Sequence, residues 1–178
     1  MRLKQKEALE DLVALEYTKM ETYNLYGYGV QISVYTEAQL KEMTKQRKLD
    51  TVYLNIAKEI STLSHCTRSK VGAVIVKDNN IISFGYNGTP AGVDNCCERH
   101  GVTVPEVIHA EMNAILKAAK TGHSVDGASL YLTLSPCVEC AKLILQSGIK
   151  RVVYLDQYRK TEGIDFLKQF IDITRYEI

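Results

Sequence analysis

His109-Ala110-Glu111, answered downstream by Pro136-Cys137-Val138-Glu139-Cys140, constrains this chain more than any other feature. Cys137 and Cys140 are three residues apart, so in the first turn of a helix both sulfurs face one way. His109 opens a second predicted helix. The three donors converge only if both helices start at the same edge of one sheet. A structural zinc site is closed by four protein ligands, whereas a catalytic one keeps a position open for water. His109, Cys137 and Cys140 leave that position open. Glu111, two residues from the histidine, can serve the water without being a ligand.

The rhythm around these motifs is that of an α/β domain. Val52 to Leu63 reads as a helix and Val71 to Val76 as a strand. Asp78-Asn79-Asn80 is a turn, with Ile81 to Tyr86 returning as a hairpin. A loop carrying Gly88, Pro90 and Gly92 runs to about Pro105. His109 to Lys120 is predicted helical, with Gly122 at its C-terminal end. Leu130 to Thr133 is a strand, and Ser135 and Pro136 are the expected N-cap and first residue of the next helix, which Gly148 stops. Arg151 to Leu155 is a strand, Ile164 to Ile171 a helix and Ile173 to Ile178 a last strand. Alternation of this kind predicts parallel neighbours in one sheet, with helices on its faces.

Residues 1–49 read differently. Leu9, Leu12, Val13, Glu16 and Met20 give a helical stripe, and Tyr28, Val30, Ile32 and Val34 alternate as in a half-buried strand. Thr36 and Gln39 form a capping box for a short helix ending near Arg47. This extension is expected to pack on the core or on a neighbouring subunit. The division is therefore 1–49, an N-terminal extension, and 50–178, the domain that carries the motifs.

The 178 residues are 46% hydrophobic, enough for one globular domain with a core. No apolar run approaches a membrane span of about 18 residues. The start of the chain is charged from Arg2 onward and does not read as a signal peptide. Five cysteines, two of them in the Cys-x-x-Cys, argue against a disulfide scaffold and for a reducing cytoplasm. With 22 basic and 21 acidic residues the formal net charge is +1, which does not suit a nucleic-acid partner. A small charged substrate held by a few local cations fits better.

His-x-Glu followed by Pro-Cys-x-x-Cys is the signature of zinc deaminases. Two thiolates and a neutral imidazole nearly cancel the metal charge, and the metal acidifies its water. The expected reaction is hydrolytic deamination of an aminopyrimidine. Glu111 takes a proton from the water, passes one to the ring nitrogen and protonates the leaving ammonia.

From about Leu49 onward the chain resembles the deoxycytidylate (dCMP) deaminases of phages and bacteria. The resemblance rests on Val71-Gly72-Ala73-Val74, Gly85-Tyr86-Asn87-Gly88-Thr89-Pro90-Ala91-Gly92, Asn95-Cys96-Cys97, His109 to Ile115, Leu134-Ser135-Pro136-Cys137 and Gln146 to Lys150. It implies the cytidine deaminase-like fold, a three-layer α/β/α arrangement with a five-stranded mixed sheet. It implies conversion of dCMP to dUMP for thymidylate synthesis, in the cytoplasm of an infected bacterium if the chain is phage-encoded. It also implies a homohexamer, activated by dCTP and inhibited by dTTP, each bound with magnesium at a separate site.

Carried over residue by residue, the resemblance gives a substrate site. Asn87 contacts the deoxyribose or base. The Ala110 N–H meets the pyrimidine carbonyl, and the Ser135 backbone meets the exocyclic amine. Arg68 and Tyr158 take the 5′-phosphate, a task that the bidentate guanidinium suits. The effector site draws on Tyr86, Asn87, Gly88, Lys117 and Lys120. Family members with a second, structural zinc point to Cys66, Cys96, Cys97 and His100, with His65 nearby, although the loop from Glu98 to Val107 is short and lacks a further cysteine. Two alternatives stay open: a zinc deaminase for dCTP, cytosine or tRNA adenosine, and a zinc-stabilised nucleotide sensor without activity. The intact Glu111 argues against the sensor.

Overall fold

The structure, a computed structural model, describes residues 21–25, 28–32 and 36–177. The chain divides into two compact units, Met1–Leu49 and Asp50–Ile178. In the first unit, β1 (Glu21–Leu25) and β2 (Tyr28–Ile32) pair antiparallel, with Glu21 opposite Ile32. Tyr28, Val30 and Ile32 of the expected strand are in β2, and Val34 lies outside the described residues. The helical stripe from Leu9 to Met20 lies outside the described residues.

The helix α1 spans Glu37–Ser61. Its start is the capping box read from the sequence. The Thr36 N–H donates to Gln39 Oε1 at 2.8 Å, and the Gln39 N–H donates to Thr36 Oγ1 at 3.2 Å. Two helices were expected here, 36–47 and 52–63, but there is one. Lys48, Leu49, Asp50 and Thr51 contain no glycine or proline to break the ladder. Asp50 is also bonded tertiarily: Arg151 reaches both its carboxylate oxygens at 2.8 Å, and the Tyr131 hydroxyl donates to it at 2.9 Å.

In the second unit β3 (Gly72–Lys77) turns through Asp78 and Asn79 into β4 (Asn80–Tyr86). Both turn residues have left-handed φ, 51° and 61°, as a tight two-residue hairpin requires. The loop that follows holds a hairpin the sequence did not announce, β5 (Glu98–Arg99) and β6 (Val102–Thr103). Then come α2 (Ala110–Lys120), β7 (Ser129–Leu134), α3 (Val138–Gln146), β8 (Arg151–Asp156), α4 (Glu162–Leu167) and β9 (Asp172–Arg175). The last helix and strand are shorter than expected, because a turn at 168–170 separates them.

Five strands form a mixed sheet in the order β4-β3-β7-β8-β9. The pairs β4/β3 and β3/β7 are antiparallel, and β7/β8 and β8/β9 are parallel. Period-two alternation sends Ala73, Ile75, Leu130, Leu132 and Val152 to one face, against Ala114 and Ala118 of α2, Ile144 of α3 and Leu167 of α4. The opposite face carries Tyr131, whose ring lies 5.0 Å from that of Tyr53 in α1. Buried Asp50, Tyr53, Leu54 and Ala57 recur at the spacing of one helical face. The fold is therefore a three-layer α/β sandwich with both sheet faces covered. Each fully buried Leu, Ile or Val in it contributes about 1.5–3 kcal/mol relative to exposure.

Register places the site. Gly72 lies opposite Tyr86, Ala73 opposite Leu132, and Leu134 opposite Asp156. The start of β3 and the ends of β4, β7 and β8 thus meet at one edge. At Gly85 a Cβ would fall on the Ala110 carbonyl and the Ala114 N–H. Only glycine lets α2 lie this close to β4, and that approach fixes the helix start at the same edge.

Candidate active site

Two helix N-termini meet where those strand ends meet. His109 is the N-cap of α2 and Cys137 the N-cap of α3. Their carbonyls accept the first helical bonds, from Asn113 at 2.9 Å and Ala141 at 2.8 Å. This moves the start of α3 from its expected place at Ser135 and Pro136. Ser135 is held by β8 and the loop beyond it: its N–H donates to the Asp156 carbonyl at 2.8 Å, and its Oγ accepts from the Tyr158 N–H at 2.7 Å. A serine so engaged cannot cap a helix, and the role falls to Cys137.

Neither His109 nor Cys137 turns its side chain back to cap its own helix. Both face each other instead. His109 Nδ1 lies 3.5 Å from Cys137 Sγ and 3.3 Å from Cys140 Sγ, and all three donor atoms fall within 4.8 Å of one another. Zinc bonds of about 2.0–2.1 Å to nitrogen and 2.3 Å to sulfur give a tetrahedral N–S edge of about 3.6 Å. The donor set fits a zinc ion with one position left for water. Among the described residues no other group of three His, Cys, Asp or Glu donors converges this way.

The electrostatics are those of a thiolate site. The Cys137 thiol is drawn down to about 3, chiefly by its hydrogen bond with Cys140 and then by that with His109. The same bond, with burial, pushes Cys140 up. His109 is raised by its bond to Cys137. Helix N-termini favour the anionic form as well. Glu111, 4% exposed, has its carboxyl raised by burial, with its own N–H and His109 working against the rise.

A cavity of about 410 Å³ opens from this centre, within the usual range for a small-molecule site. Its lining includes His109, Glu111 and Cys137, together with Arg68, Asn87, Ala110, Ser135 and Tyr158. Ala110 is the first residue of α2, where N–H groups have no partner inside the helix. The Asn87 side chain braces the cavity wall: Oδ1 accepts from the Val71 N–H at 2.8 Å, and Nδ2 donates to the Ser69 carbonyl at 2.8 Å. One of its two amide hydrogens is left over. Arg68 is exposed, with Nη1 donating to Thr103 Oγ1 at 3.1 Å. Sequence reasoning missed Arg159, a second exposed cation on the lining, whose guanidinium lies 5.7 Å from the Tyr158 ring centroid. The available signal was its place just past the carboxyl end of a parallel strand, where α/β sheets bind ligands.

The residues assigned to an effector lie elsewhere, apart from Asn87. Lys117 Nζ stands 4.9 Å from the Phe84 ring centroid and 5.0 Å from that of Tyr86, and burial lowers its pKa. Gly88 is tied to Ile108 by a two-bond bridge, and Lys120 is exposed on α2. The cysteines assigned to a second zinc do not gather as a donor set with His100. The Cys97 thiol is pushed up to about 12, chiefly by burial and then by the neighbouring Cys66, whose own Sγ donates to the Asn87 carbonyl at 3.7 Å. Cys96 donates to the Glu98 carbonyl at 3.2 Å, and His100 occupies the β5–β6 turn at φ 53°.

Three zinc-type donors beside a buried carboxylate, at the strand ends of a mixed sheet, match a zinc hydrolase of the deaminase class. Residues 47–156 match the cytidine and deoxycytidylate deaminase zinc-binding region. The chain belongs to that family. It is 41% identical over 157 residues to deoxycytidylate deaminase of Enterobacteria phage T4, covering 65% of this chain and 81% of that protein. It is 42% identical over 120 residues to the deoxycytidylate deaminase of Mycobacterium phage D29, covering 59% and 92%. The crystal structure of dCMP deaminase from cyanophage S-TIM5 in complex with dCMP and dUMP superposes with a TM-score of 0.71 at 45% identity, over 72% of this chain and 97% of that one. No described helix is long and apolar enough to cross a membrane.

Proposed function

We propose that residues 50–178 form a deaminase domain that hydrolyses dCMP to dUMP, supplying thymidylate synthesis in the cytoplasm. Residues 1–49 are its N-terminal extension. The observation that carries this reading is a single cavity lined both by buried Glu111 and by exposed Arg68 and Arg159. A base needs the first and a phosphate the other two. The phage relatives are named for this reaction, and the cyanophage structure holds its substrate and product.

Water adds at the ring carbon that bears the amine, the carbon–nitrogen bond breaks, and ammonia leaves. Zinc, when held by His109, Cys137 and Cys140, lowers the pKa of a water ligand enough to supply the nucleophile at neutral pH. Glu111 moves both protons of the attacking water in turn: the first goes to the ring nitrogen as the oxygen adds, and the second goes from the newly added hydroxyl to the departing amine, which leaves as ammonia while the ring carbonyl forms. The Ala110 N–H donates to the pyrimidine carbonyl. The Ser135 N–H is already bonded to Asp156, so its carbonyl is the backbone group that accepts from the exocyclic amine. Arg68, Tyr158 and Arg159 hold the phosphate, and the remaining Asn87 amide hydrogen reaches the deoxyribose.

The same reading includes regulation in a homohexamer. dCTP with magnesium activates and dTTP with magnesium inhibits, at a site built from Tyr86, Asn87, Gly88, Lys117 and Lys120. Its support is positional. Tyr86 bears Lys117 on one side, and its neighbour Asn87 braces Ser69 and Val71 in the cavity wall. Ultraviolet-monitored deamination of dCMP, alone and with dCTP or dTTP plus magnesium, tests both parts. Turnover raised by dCTP and suppressed by dTTP supports the whole reading. Turnover indifferent to both removes the regulation. No turnover in zinc-loaded protein removes the substrate.

A further inference from the structure

Arg68 lies on an exposed loop, and a long side chain there loses rotamer freedom when it binds a phosphate. The structure restrains it from two directions. The Glu98 carboxylate accepts from the Thr67 N–H at 3.2 Å, from Thr67 Oγ1 at 3.1 Å and from the Arg68 N–H at 3.3 Å. Thr103 Oγ1 accepts from Arg68 Nη1 at 3.1 Å. Glu98 and Thr103 stand directly opposite each other in the β5–β6 pair. The hairpin is tied at its base by the Val104 N–H to the Cys97 carbonyl, at 2.9 Å. One cross-strand pair therefore holds both the backbone and the head of the same arginine. Glu98, Thr103 and Arg68 all line the cavity.

We infer that Glu98 is a positioning residue for phosphate recognition: through Thr67 and Arg68 it fixes the backbone from which the Arg68 guanidinium meets the substrate phosphate. The inference rests on the dCMP reading. The carboxylate has no part in the chemistry at the ring. Its oxygens accept from Thr67 and Arg68, and it shares no hydrogen bond with the zinc donors among the described residues. Its role is to pre-order a binding group, which lowers the entropy lost on association. Loss of such a group weakens substrate binding and leaves the chemical step largely alone.

The test is a double-mutant cycle on zinc-loaded, full-length protein, read as kcat and KM for dCMP. Arg68→Ala is expected to raise KM by about tenfold or more, as loss of a charge-assisted phosphate contact does. Glu98→Ala is expected to raise KM by about fivefold, with kcat within about twofold of the parent. In the Arg68→Ala background, Glu98→Ala should add less than about twofold, because it acts through the missing arginine. Glu98→Gln keeps one acceptor oxygen and should recover part of the loss, and it replaces Glu98→Ala if the latter does not fold. Multiplying effects in the double variant, or a fall in kcat that exceeds the rise in KM, overturns the positioning role and leaves the dCMP reading standing. Absence of dCMP turnover in the parent protein overturns both.

Discussion

His109 and Cys137 occupy the same position in two different helices: each is the N-cap, and His109 Nδ1 lies 3.5 Å from Cys137 Sγ. Both have extended backbone, with ψ of 159° and 170°, which turns the side chain away from the helix axis. A residue at N3 follows on the same face, so Cys140 joins Cys137 without further arrangement. Glu111, at N2 of α2, reaches the same space from the other helix.

Removing one donor should remove the metal. Cys137→Ala and Cys140→Ala are each expected to lower bound zinc from about one per chain to a tenth or less. Elemental analysis of purified protein reads this directly, with circular dichroism reporting that the fold persists. Full zinc content in either variant would contradict the three-donor assignment.

Glu111→Gln should separate metal binding from proton transfer. The amide fills the same space but cannot accept and release a proton. Zinc content is expected to match the parent protein, while kcat for dCMP falls by about 10²–10⁴-fold. A kcat near that of the parent would take the shuttle away from Glu111.

Gly85→Ala should damage the site from a distance. The added Cβ lands on backbone atoms of Ala110 and Ala114, so α2 must move with His109 and Glu111 at its start. Overpacking of this kind costs about 1–3 kcal/mol. A lowered melting temperature together with lost turnover is the expected result. Unchanged melting and turnover would show that the helix tolerates the displacement.

Asp50→Ala should be among the more destabilising single changes. Its partner Arg151 is only 23% exposed and would lose its bidentate counter-ion, keeping one ionic contact, of Nε with the exposed Asp172 carboxylate at 3.2 Å. Breaking such a pair costs about 3 kcal/mol, whereas the double variant Asp50→Ala, Arg151→Met should recover much of the loss. Urea unfolding of the three proteins measures both numbers. Equal loss in the single and double variants would mean that burial of charge is not the cause.

Lys120→Ala should blunt the response of dCMP turnover to dCTP and dTTP while leaving zinc content unchanged. Activity assays across effector concentration, with magnesium, give the answer. Unaltered half-effect concentrations would take Lys120 out of the effector site.

Local chemistry was enough for some features. Thr36 and Gln39 read as a capping box and are one, because both partners lie within a single turn. Gly122 follows the end of α2 at φ 77°, with the His123 N–H on the Ala118 carbonyl at 2.9 Å, again a matter of a few adjacent residues. Ser135 deceived for the opposite reason. Its own sequence context promises a cap, but Asp156 and Tyr158 claim it across the sheet.

The sequence by itself determined the donor types and their spacing, the proton carrier beside them and the alternation of strands and helices. These are properties of neighbouring residues and short periods, and covalent order fixes them. Only the tertiary structure decided which edge of the sheet receives the donors. That depended on the antiparallel register of β3 with β4 and β7, the parallel register of β7 with β8, and the close approach at Gly85. It alone brought Arg159 into the cavity and set Glu98 against the Arg68 backbone, 30 residues away in the chain. The Glu98–Arg68 contact follows from how elements pack in three dimensions, and no local pattern encodes it.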